Sequence, residues 1–327
     1  MIREIKSSQT YSKVMLFLSV LTLLFGFCFC FLGEIFLPFA VSFLAALFIF
    51  EKPKKRVLSY IVPIIPVICA VLSFGAFALI TVQYIAFAAI LALCYRYSRS
   101  KANCAFYLTF AISLMLIVSL YISGAMKCGS FALDAVTDYY STYYTALKAK
   151  IIDFATNYTV TNRDGSIDKP FTKEIVAELI DGISKLAVSI IGIYGFISAG
   201  IVIKIFAFLI LRYSKHGILK TFAHFLPSNA VAYIYIVLAI LSALIGSTDI
   251  VDLAIINVCQ IFMIVFAYMG VQYVLAIAKI SGRRSTVLTF LVAGILVLNV
   301  VALQLLSFLG VWITIGTNRS LKPIDEE

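Results

Sequence analysis

Long apolar runs, separated by short basic or polar breaks, dominate the pattern of this chain. A membrane-spanning α-helix needs about 20 predominantly apolar residues. Residues 12–50 and 57–95 are each long enough for two such helices, and Gly33-Glu34 breaks the first run. The five later runs are 103–125, 186–211, 229–246, 253–278 and 286–316. The pattern predicts about nine transmembrane helices, with a range of eight to ten, because the last run has room for one long helix or two half-helices.

A polar segment, residues 126–185, separates the fifth run from the sixth. One predicted helical face in this segment carries aromatic and apolar residues at steps of three and four: Tyr140, Tyr144, Leu147, Ile151 and Phe154. Lys148 and Lys150 fall off this tyrosine stripe. Three interpretations remain open: an interfacial helix that rests on the membrane or the bundle, a lid over a cavity, and a surface for a partner protein.

A second helix is predicted after this stripe. Thr172 is placed to cap a helix that begins at Lys173 and runs into the sixth span as far as Leu211. A helix of that length measures about 58 Å, whereas the hydrocarbon core of a bilayer is about 30 Å thick. We therefore expect the sixth span to project beyond the membrane.

Composition supports a membrane protein. The chain is 62% hydrophobic and 13% charged, whereas soluble domains are about 45–50% apolar and about 25% charged. The net charge of +10 would suggest nucleic acid in a soluble protein, but here sixteen Lys and Arg residues lie in five segments on one side of the predicted spans. The three short connections on the other side hold none. The positive-inside rule then predicts a multi-pass protein of the cell membrane, with a cytoplasmic N-terminus and an extracytoplasmic 126–185 segment.

The expected fold is all-α, a polytopic helical membrane bundle with a helical extracytoplasmic insertion. Its predicted divisions are N-terminal membrane helices (1–125), the insertion (126–185), C-terminal membrane helices (186–316) and a polar tail (317–327). The expected partners are the lipid bilayer, a small polar or anionic solute and other membrane-protein subunits, and not nucleic acid.

Lys204 is a charged residue inside a predicted span. It lies eight residues before Arg212, which is about 12 Å along a helix. No acidic residue lies at a comparable depth in any predicted span. Its side chain either snorkels to the headgroups, lines a polar cavity that binds an anion, or bonds to backbone carbonyls.

The eighth predicted span carries four polar residues: Asn257, Gln260, Tyr268 and Gln272. At 100° per residue they share a face about 120° wide. Such a face must contact protein or water, because lipid offers no hydrogen bonds. With Lys204, these residues are the candidate cavity lining, and the alternative is that they join neighbouring helices.

Enzyme chemistry is not indicated. The chain has two histidines and seven scattered cysteines, with no metal-ligand spacing, no glycine-rich phosphate loop and no nucleophile motif. We predict no catalytic residues, no metal and no cofactor.

Several segments together carry a family resemblance. They are "RYSRSK", "LRYSKHGILKTFAHFLPSNAVAYIYI", "INVCQIFMIVFAYMGVQYVLAIAK" and "SFLGVWITIGTNRS". The chain resembles the YybS-like family of bacterial membrane proteins, a group defined by a domain of unknown function. The resemblance covers most of the chain and rests on Pro227, Asn257, Gly270, Gly310 and Arg319.

The resemblance implies no established activity. The family is similar in general appearance to the substrate-binding membrane components of energy-coupling-factor vitamin transporters, which dock through small-residue helix faces. Ala88-x-x-x-Ala92 is a candidate for such a face. Two hypotheses follow: a transport-type solute-binding component, and a non-transport scaffold that binds envelope or cell-division partners.

Overall fold

The computed structural model describes residues 8–51, 57–158, 160–161, 167–168, 171–214, 219, 225–245, 249–280, 282, 286–288, 291, 294 and 300–320. Contacts divide the chain into two compact units. We call Met1–Ser113 with Gly192–Glu327 the core unit, and Leu114–Ile191 the inserted unit. Two predicted features lie partly outside the described residues: the last apolar run, at 289–290, 292–293 and 295–299, and the polar tail, at 321–327.

Nearly all of the described chain is helical. The first five helices are α1 (Ser8–Leu32), α2 (Leu37–Phe50), α3 (Leu58–Phe74), α4 (Gln83–Arg96) and α5 (Lys101–Cys128). The next six are α6 (Leu133–Asn157), α7 (Lys173–Lys185), α8 (Ala187–Tyr213), α9 (Asn229–Leu244), α10 (Ile250–Ile280) and α11 (Val300–Ser320). Two short strands, β1 (Val160–Thr161) and β2 (Ile167–Asp168), pair in antiparallel orientation between α6 and α7.

Four helices are long and apolar enough to cross a membrane: Tyr11–Leu32, Lys101–Cys128, Ala187–Tyr213 and Val251–Ile280. Five shorter apolar helices accompany them: Glu34–Phe50, Leu58–Phe74, Ile80–Arg96, Asn229–Leu244 and Val301–Thr317. The predicted helical class is confirmed at this level. Each predicted apolar run contains at least one helix among the described residues, while the number that cross the membrane stays a prediction.

Two glycines end helices of the core unit, and the sequence predicted a break at the first of them, Gly33. Gly33 after α1 has φ 104° and Gly75 after α3 has φ 78°. Residues with a Cβ rarely adopt these backbone conformations. Each glycine leads into a short 3₁₀ turn, Glu34–Phe36 before α2 and Ala76–Val82 before α4. The two apolar runs are therefore each divided into a pair of helices.

A buried carboxylate fixes the start of α3. Glu51 follows α2 and is only 3% exposed. It accepts hydrogen bonds from the backbone N–H groups of Leu58 (2.9 Å) and Ser59 (2.8 Å), and from the Ser59 hydroxyl. The first N–H groups of a helix have no partner within the helix, so the carboxylate satisfies them and complements the positive end of the helix dipole.

α8 contacts several other helices of the core unit. The Ser42 hydroxyl on α2 lies 3.0 Å from the Val202 carbonyl oxygen, and the Tyr95 ring on α4 meets Phe206 edge-on at 5.1 Å. A Cβ added to Gly195 would lie 2.9 Å from the Thr109 carbonyl oxygen on α5. The small residue therefore permits a close contact between α8 and α5.

α10 and α11 cross with their backbones in close contact. A Cβ added to Gly270 would lie 2.1 Å from the Leu306 carbonyl oxygen, and one added to Gly310 would lie 2.0 Å from the Phe266 carbonyl oxygen. Beside this crossing, the Tyr235 hydroxyl on α9 bonds with the Ser307 hydroxyl at 2.8 Å. Small residues at facing positions let two helix backbones touch, and here the glycines do so reciprocally.

The proposed docking face on α4 is not available at the surface. Ala88 and Ala92 are both buried within the chain, as are Leu91 and Phe87 beside them. The alanine spacing thus serves packing inside the core unit, and the idea that it docks another subunit is not supported.

Candidate ligand-binding site

A cavity of about 250 Å³ lies in the core unit between α5, α8 and α10. α8 contributes residues from Phe196 to Lys204, and α10 contributes Ile264 and Tyr268. The described residues that line it are Lys101, Ala105, Phe196, Ile197, Gly200, Ile201, Ile203, Lys204, Phe225, Ile264 and Tyr268. The site is therefore mostly apolar, with a few polar groups, which is the usual make-up of a small-molecule pocket.

Two cations face this cavity without a carboxylate. Lys101 begins α5 and is half-buried, while Lys204 lies on an exposed face of α8. None of the described lining residues is acidic. The part of the chain that the structure describes has one ion pair within 4.0 Å, and it involves neither lysine. The cavity is therefore electropositive.

Three aromatic rings form one wall. The centroid of Phe225 lies 5.5 Å from that of Tyr268 and 6.0 Å from that of Phe196, and all three ring pairs meet edge-to-face. Lys204 Nζ lies 6.0 Å from the centre of the Tyr268 ring, which is the outer limit of a cation–π contact. The rings hold Tyr268 in place, and the tyrosine face in turn helps to hold the ammonium group.

The shape of the cavity depends on Gly200. A Cβ added at this position would have no heavy atom within 4 Å, so the space beside it is open. A larger side chain would therefore enter the cavity without colliding with the backbone of a neighbouring helix. This makes Gly200 a position at which the cavity can be filled while the surrounding packing is kept.

Of the five predicted cavity residues, the structure brings together Lys204 and Tyr268. Asn257 is buried and donates to the Leu253 carbonyl oxygen of its own helix at 2.7 Å. Gln260 is half-buried and Gln272 is exposed, and neither of these described residues lines the cavity. The polar face predicted for α10 is therefore divided among different surroundings.

The tyrosine stripe lies on α6 in the inserted unit. The Tyr140 hydroxyl donates to the Leu120 carbonyl oxygen at 2.6 Å, and its ring covers Gly124 on α5. The Tyr144 hydroxyl donates to Asp181 on α7 at 3.1 Å. These two tyrosines thus join α6 to α5 and α7 within the inserted unit. The choice among an interfacial helix, a lid and a partner surface stays open.

The other half of the stripe is exposed. Leu147, Ile151 and Phe154 all present surface, and Phe154 is 76% exposed. Lys148, which the pattern places off the stripe, instead pairs with Asp181 at 2.6 Å. The contact between α6 and α7 is therefore made by the start of the stripe and by a lysine one position after Leu147.

This ion pair predicts a pH dependence within the inserted unit. The hydrogen bond from Lys148, followed by that from Tyr144, lowers the pKa of Asp181. A carboxyl group whose pKa is lower in the folded state stabilises the fold above its unfolded pKa of about 3.9, and this contribution is lost as the pH falls through the lowered value. At pH 7 we expect Asp181→Asn to increase hydrogen exchange in α7 relative to wild type.

The difference between Asp181→Asn and wild type should shrink progressively as the pH is lowered below about 3.9, because protonation of the carboxylate removes its contribution. Asp138→Asn is the matched control, because Asp138 is an exposed acid on α6. A difference that is as large at acid pH as at pH 7 would show that the charge of Asp181 is not responsible.

Sequence reasoning predicted only Lys204 and Tyr268 among the lining residues, and three of those it missed carry the cation pair and the aromatic wall. Lys101 counted only as a loop charge, and Phe196 and Phe225 counted as ordinary apolar residues. One signal was available: Phe196, Gly200 and Lys204 are spaced by four residues and share one face of a helix. The contribution of Phe225, which lies before α9, depends on the tertiary fold.

Comparison with known proteins gives no relative from which to assign this site. No protein-family model, no curated protein and no solved structure matches the chain.

Proposed function

We propose that this chain is a transport-type, multi-pass membrane protein whose core unit binds an anionic ligand in the cavity between α5, α8 and α10. The observation that carries the proposal is the pairing of Lys101 and Lys204 beside an aromatic wall, with no acid among the described lining residues. Two ammonium groups next to apolar surface suit an anion that also has an apolar part.

The proposed topology has nine spans, a cytoplasmic N-terminus and an extracytoplasmic segment at 126–185. The uneven distribution of Lys and Arg between the short connections supports it. Lys101 and Arg212 stand at the ends of α5 and α8 nearest the cavity. In this topology the cavity lies on the cytoplasmic side of the bilayer, in the half of the membrane next to the basic loops.

A thermal-shift experiment tests the proposal. The purified protein is heated with anions that range from inorganic phosphate and benzoate to dodecyl phosphate, and Lys204→Met is measured in parallel. We expect at least one anion to stabilise wild type and to bind Lys204→Met roughly 5- to 150-fold more weakly, as expected when a polar contact of about 1–3 kcal/mol is lost.

Without ligand, Lys204→Met should be neutral or mildly stabilising, because it removes a charge from hydrocarbon. If every anion acts equally on both proteins, or acts on neither, the cavity is not an anion site. The lysine would then be a snorkelling residue.

A second candidate function, a scaffold for envelope or cell-division partners, has support from the inserted unit. Ile175, Leu179 and Ile183 are exposed at steps of four on α7, while Val176 is buried. An apolar helical face of this kind is suited to contact a partner protein or a membrane surface. The scaffold becomes the better proposal if no anion distinguishes wild type from Lys204→Met in the thermal-shift experiment.

A further inference from the structure

One face of α8 combines exposed apolar residues with a single cation. Ile197 and Ile201 are 52% and 41% exposed, and Phe208 and Leu211 are exposed on the same side. With Lys204, these residues lie within about 80° around the helix axis. Among the described residues of this face Lys204 is the only charge, so an otherwise apolar surface has one positive point on it.

This face contacts lipid when α8 crosses a membrane. α8 is one of the four helices long and apolar enough to do so. Ile197, Ile201 and Lys204 are exposed and also line the cavity, so the cavity opens on the lipid-facing side of the helix. A ligand in the bilayer can therefore reach the cavity sideways, without passing through water.

Polarity changes in one direction along the opening. Arg212 lies near the end of α8, Lys204 is about 12 Å further in, and Ile197 is about another 10 Å beyond Lys204. Lys101 begins α5, so its cation and the positive end of the α5 dipole are at the same end of the cavity. The cationic end is thus near the helix ends, and the apolar end points toward the middle of the membrane.

We infer that the cavity binds an anionic amphiphile from the bilayer, with a phosphate or carboxylate headgroup at Lys101 and Lys204 and an alkyl chain along Ile201 and Ile197. The inference rests on the proposed function and names the ligand class for the same site. The orientation matches that of a lipid in the leaflet next to the basic helix ends, where headgroups face outward and chains point to the midplane.

The size and walls of the cavity favour an amphiphile over a free ion. A volume of about 250 Å³ is slightly below the usual range of about 300–1,000 Å³ for small-molecule pockets. The cavity thus holds a headgroup and the first part of a chain, and the rest of the chain stays in lipid. An inorganic ion would lose its water to apolar walls that offer few hydrogen bonds in return.

The chain provides matched variants for a test. Lys204→Met and Lys101→Met each remove one cation, while Lys204→Arg keeps the charge. Gly200→Leu fills the cavity at a position with no atom within 4 Å of an added Cβ. Lys127→Met is the control for net charge, because Lys127 is an exposed lysine at the opposite end of α5.

The thermal stability of the full chain is measured in uncharged maltoside micelles as a function of the concentration of each of four probes, which gives the affinity for each probe. The probes are inorganic phosphate, phenyl phosphate, dodecyl phosphate and dodecyltrimethylammonium. We expect dodecyl phosphate to bind wild type, Lys204→Arg and Lys127→Met similarly. Lys204→Met, Lys101→Met and Gly200→Leu should each weaken it about tenfold or more. The cationic probe, which has the same chain, should give no stabilisation that depends on these residues.

A second arm separates lipid from free phosphate. Wild type in phosphatidylcholine nanodiscs should be stabilised against thermal unfolding when phosphatidate is included. Inorganic phosphate added to the buffer should not reduce this stabilisation. Gly200→Leu should abolish the phosphatidate effect. If Lys204→Met fails to fold, the comparison of Lys204→Arg with Gly200→Leu carries the same test.

The outcomes distinguish the inference from the proposed function. If phenyl phosphate or inorganic phosphate binds as tightly as dodecyl phosphate and depends equally on Lys204, the site takes a soluble anion and only the inference is overturned. If dodecyl phosphate binds all variants alike, it adsorbs elsewhere and the inference is overturned. If no anion distinguishes wild type from Lys204→Met, both are overturned.

Discussion

Replacing Gly270 or Gly310 with Ala is expected to destabilise the protein more than any other single-methyl change. The added Cβ would meet a backbone carbonyl oxygen of the facing helix, at 2.1 Å for Gly270 and 2.0 Å for Gly310. A backbone atom cannot turn away as a side chain can, so α10 and α11 must separate. Overpacking typically costs 1–3 kcal/mol, and we expect roughly 3 kcal/mol or more here, because the crossing itself is displaced.

The measurement is thermal unfolding followed by the fluorescence of Trp312, the single tryptophan of the chain, which lies on α11. Gly316→Ala on the same helix is the matched control, since nothing lies within 4 Å of its added Cβ. It should be neutral or slightly stabilising. Because both glycines serve one crossing, the double variant should cost less than the sum of the single variants. Full additivity, or a loss of stability in Gly316→Ala as large as in Gly270→Ala, would contradict this explanation.

Replacing Glu51 with Ala is expected to give the second largest loss of stability. The carboxylate accepts bonds from the N–H groups of Leu58 and Ser59 and from the Ser59 hydroxyl. Without it, the buried Ser59 groups lose their acceptor, and each unsatisfied buried group costs about 1–3 kcal/mol. We expect Glu51→Ala to lower the free energy of unfolding by roughly 2–5 kcal/mol.

Two further variants divide the effect of Glu51 into parts. Glu51→Gln keeps one acceptor oxygen and removes the charge, so it should cost less than Glu51→Ala. Ser59→Ala removes only the hydroxyl bond and should cost the least. Thermal unfolding of the three variants should follow this order, and a Glu51→Ala protein as stable as wild type would show that another group caps α3.

The positions of the helices followed from features that act locally. The long apolar runs at the start of the chain correspond to α1 to α4, and the predicted break at Gly33 corresponds to its φ of 104°. The predicted Thr172 cap corresponds to a hydrogen bond from the Ile175 N–H to the Thr172 hydroxyl oxygen. One detail differs. The helix predicted from Lys173 to Leu211 is interrupted at Leu186, so that α7 and α8 are separate elements.

Side-chain surroundings were less predictable, because they depend on which helices meet. Lys204 was recognisable as an unusual charge, but its neighbour Lys101 comes from a helix that begins more than a hundred residues earlier. The polar face of α10 looked continuous, yet Asn257 bonds within its own helix and Gln272 is exposed. Periodicity specifies the face of a helix, and only the tertiary contacts specify what that face meets.

The burial of α2 has a consequence for how the protein is made. Twelve of its fourteen residues are buried, and at about 21 Å it is shorter than a typical spanning helix. Part of its surroundings comes from α8, where the Val202 carbonyl oxygen meets the Ser42 hydroxyl 160 positions away in the chain. A ribosome that has produced only the first four helices has therefore released α2 before its neighbour α8 exists. During biosynthesis α2 must wait at the translocon, or in contact with lipid or an insertase, until the sixth apolar run has been translated.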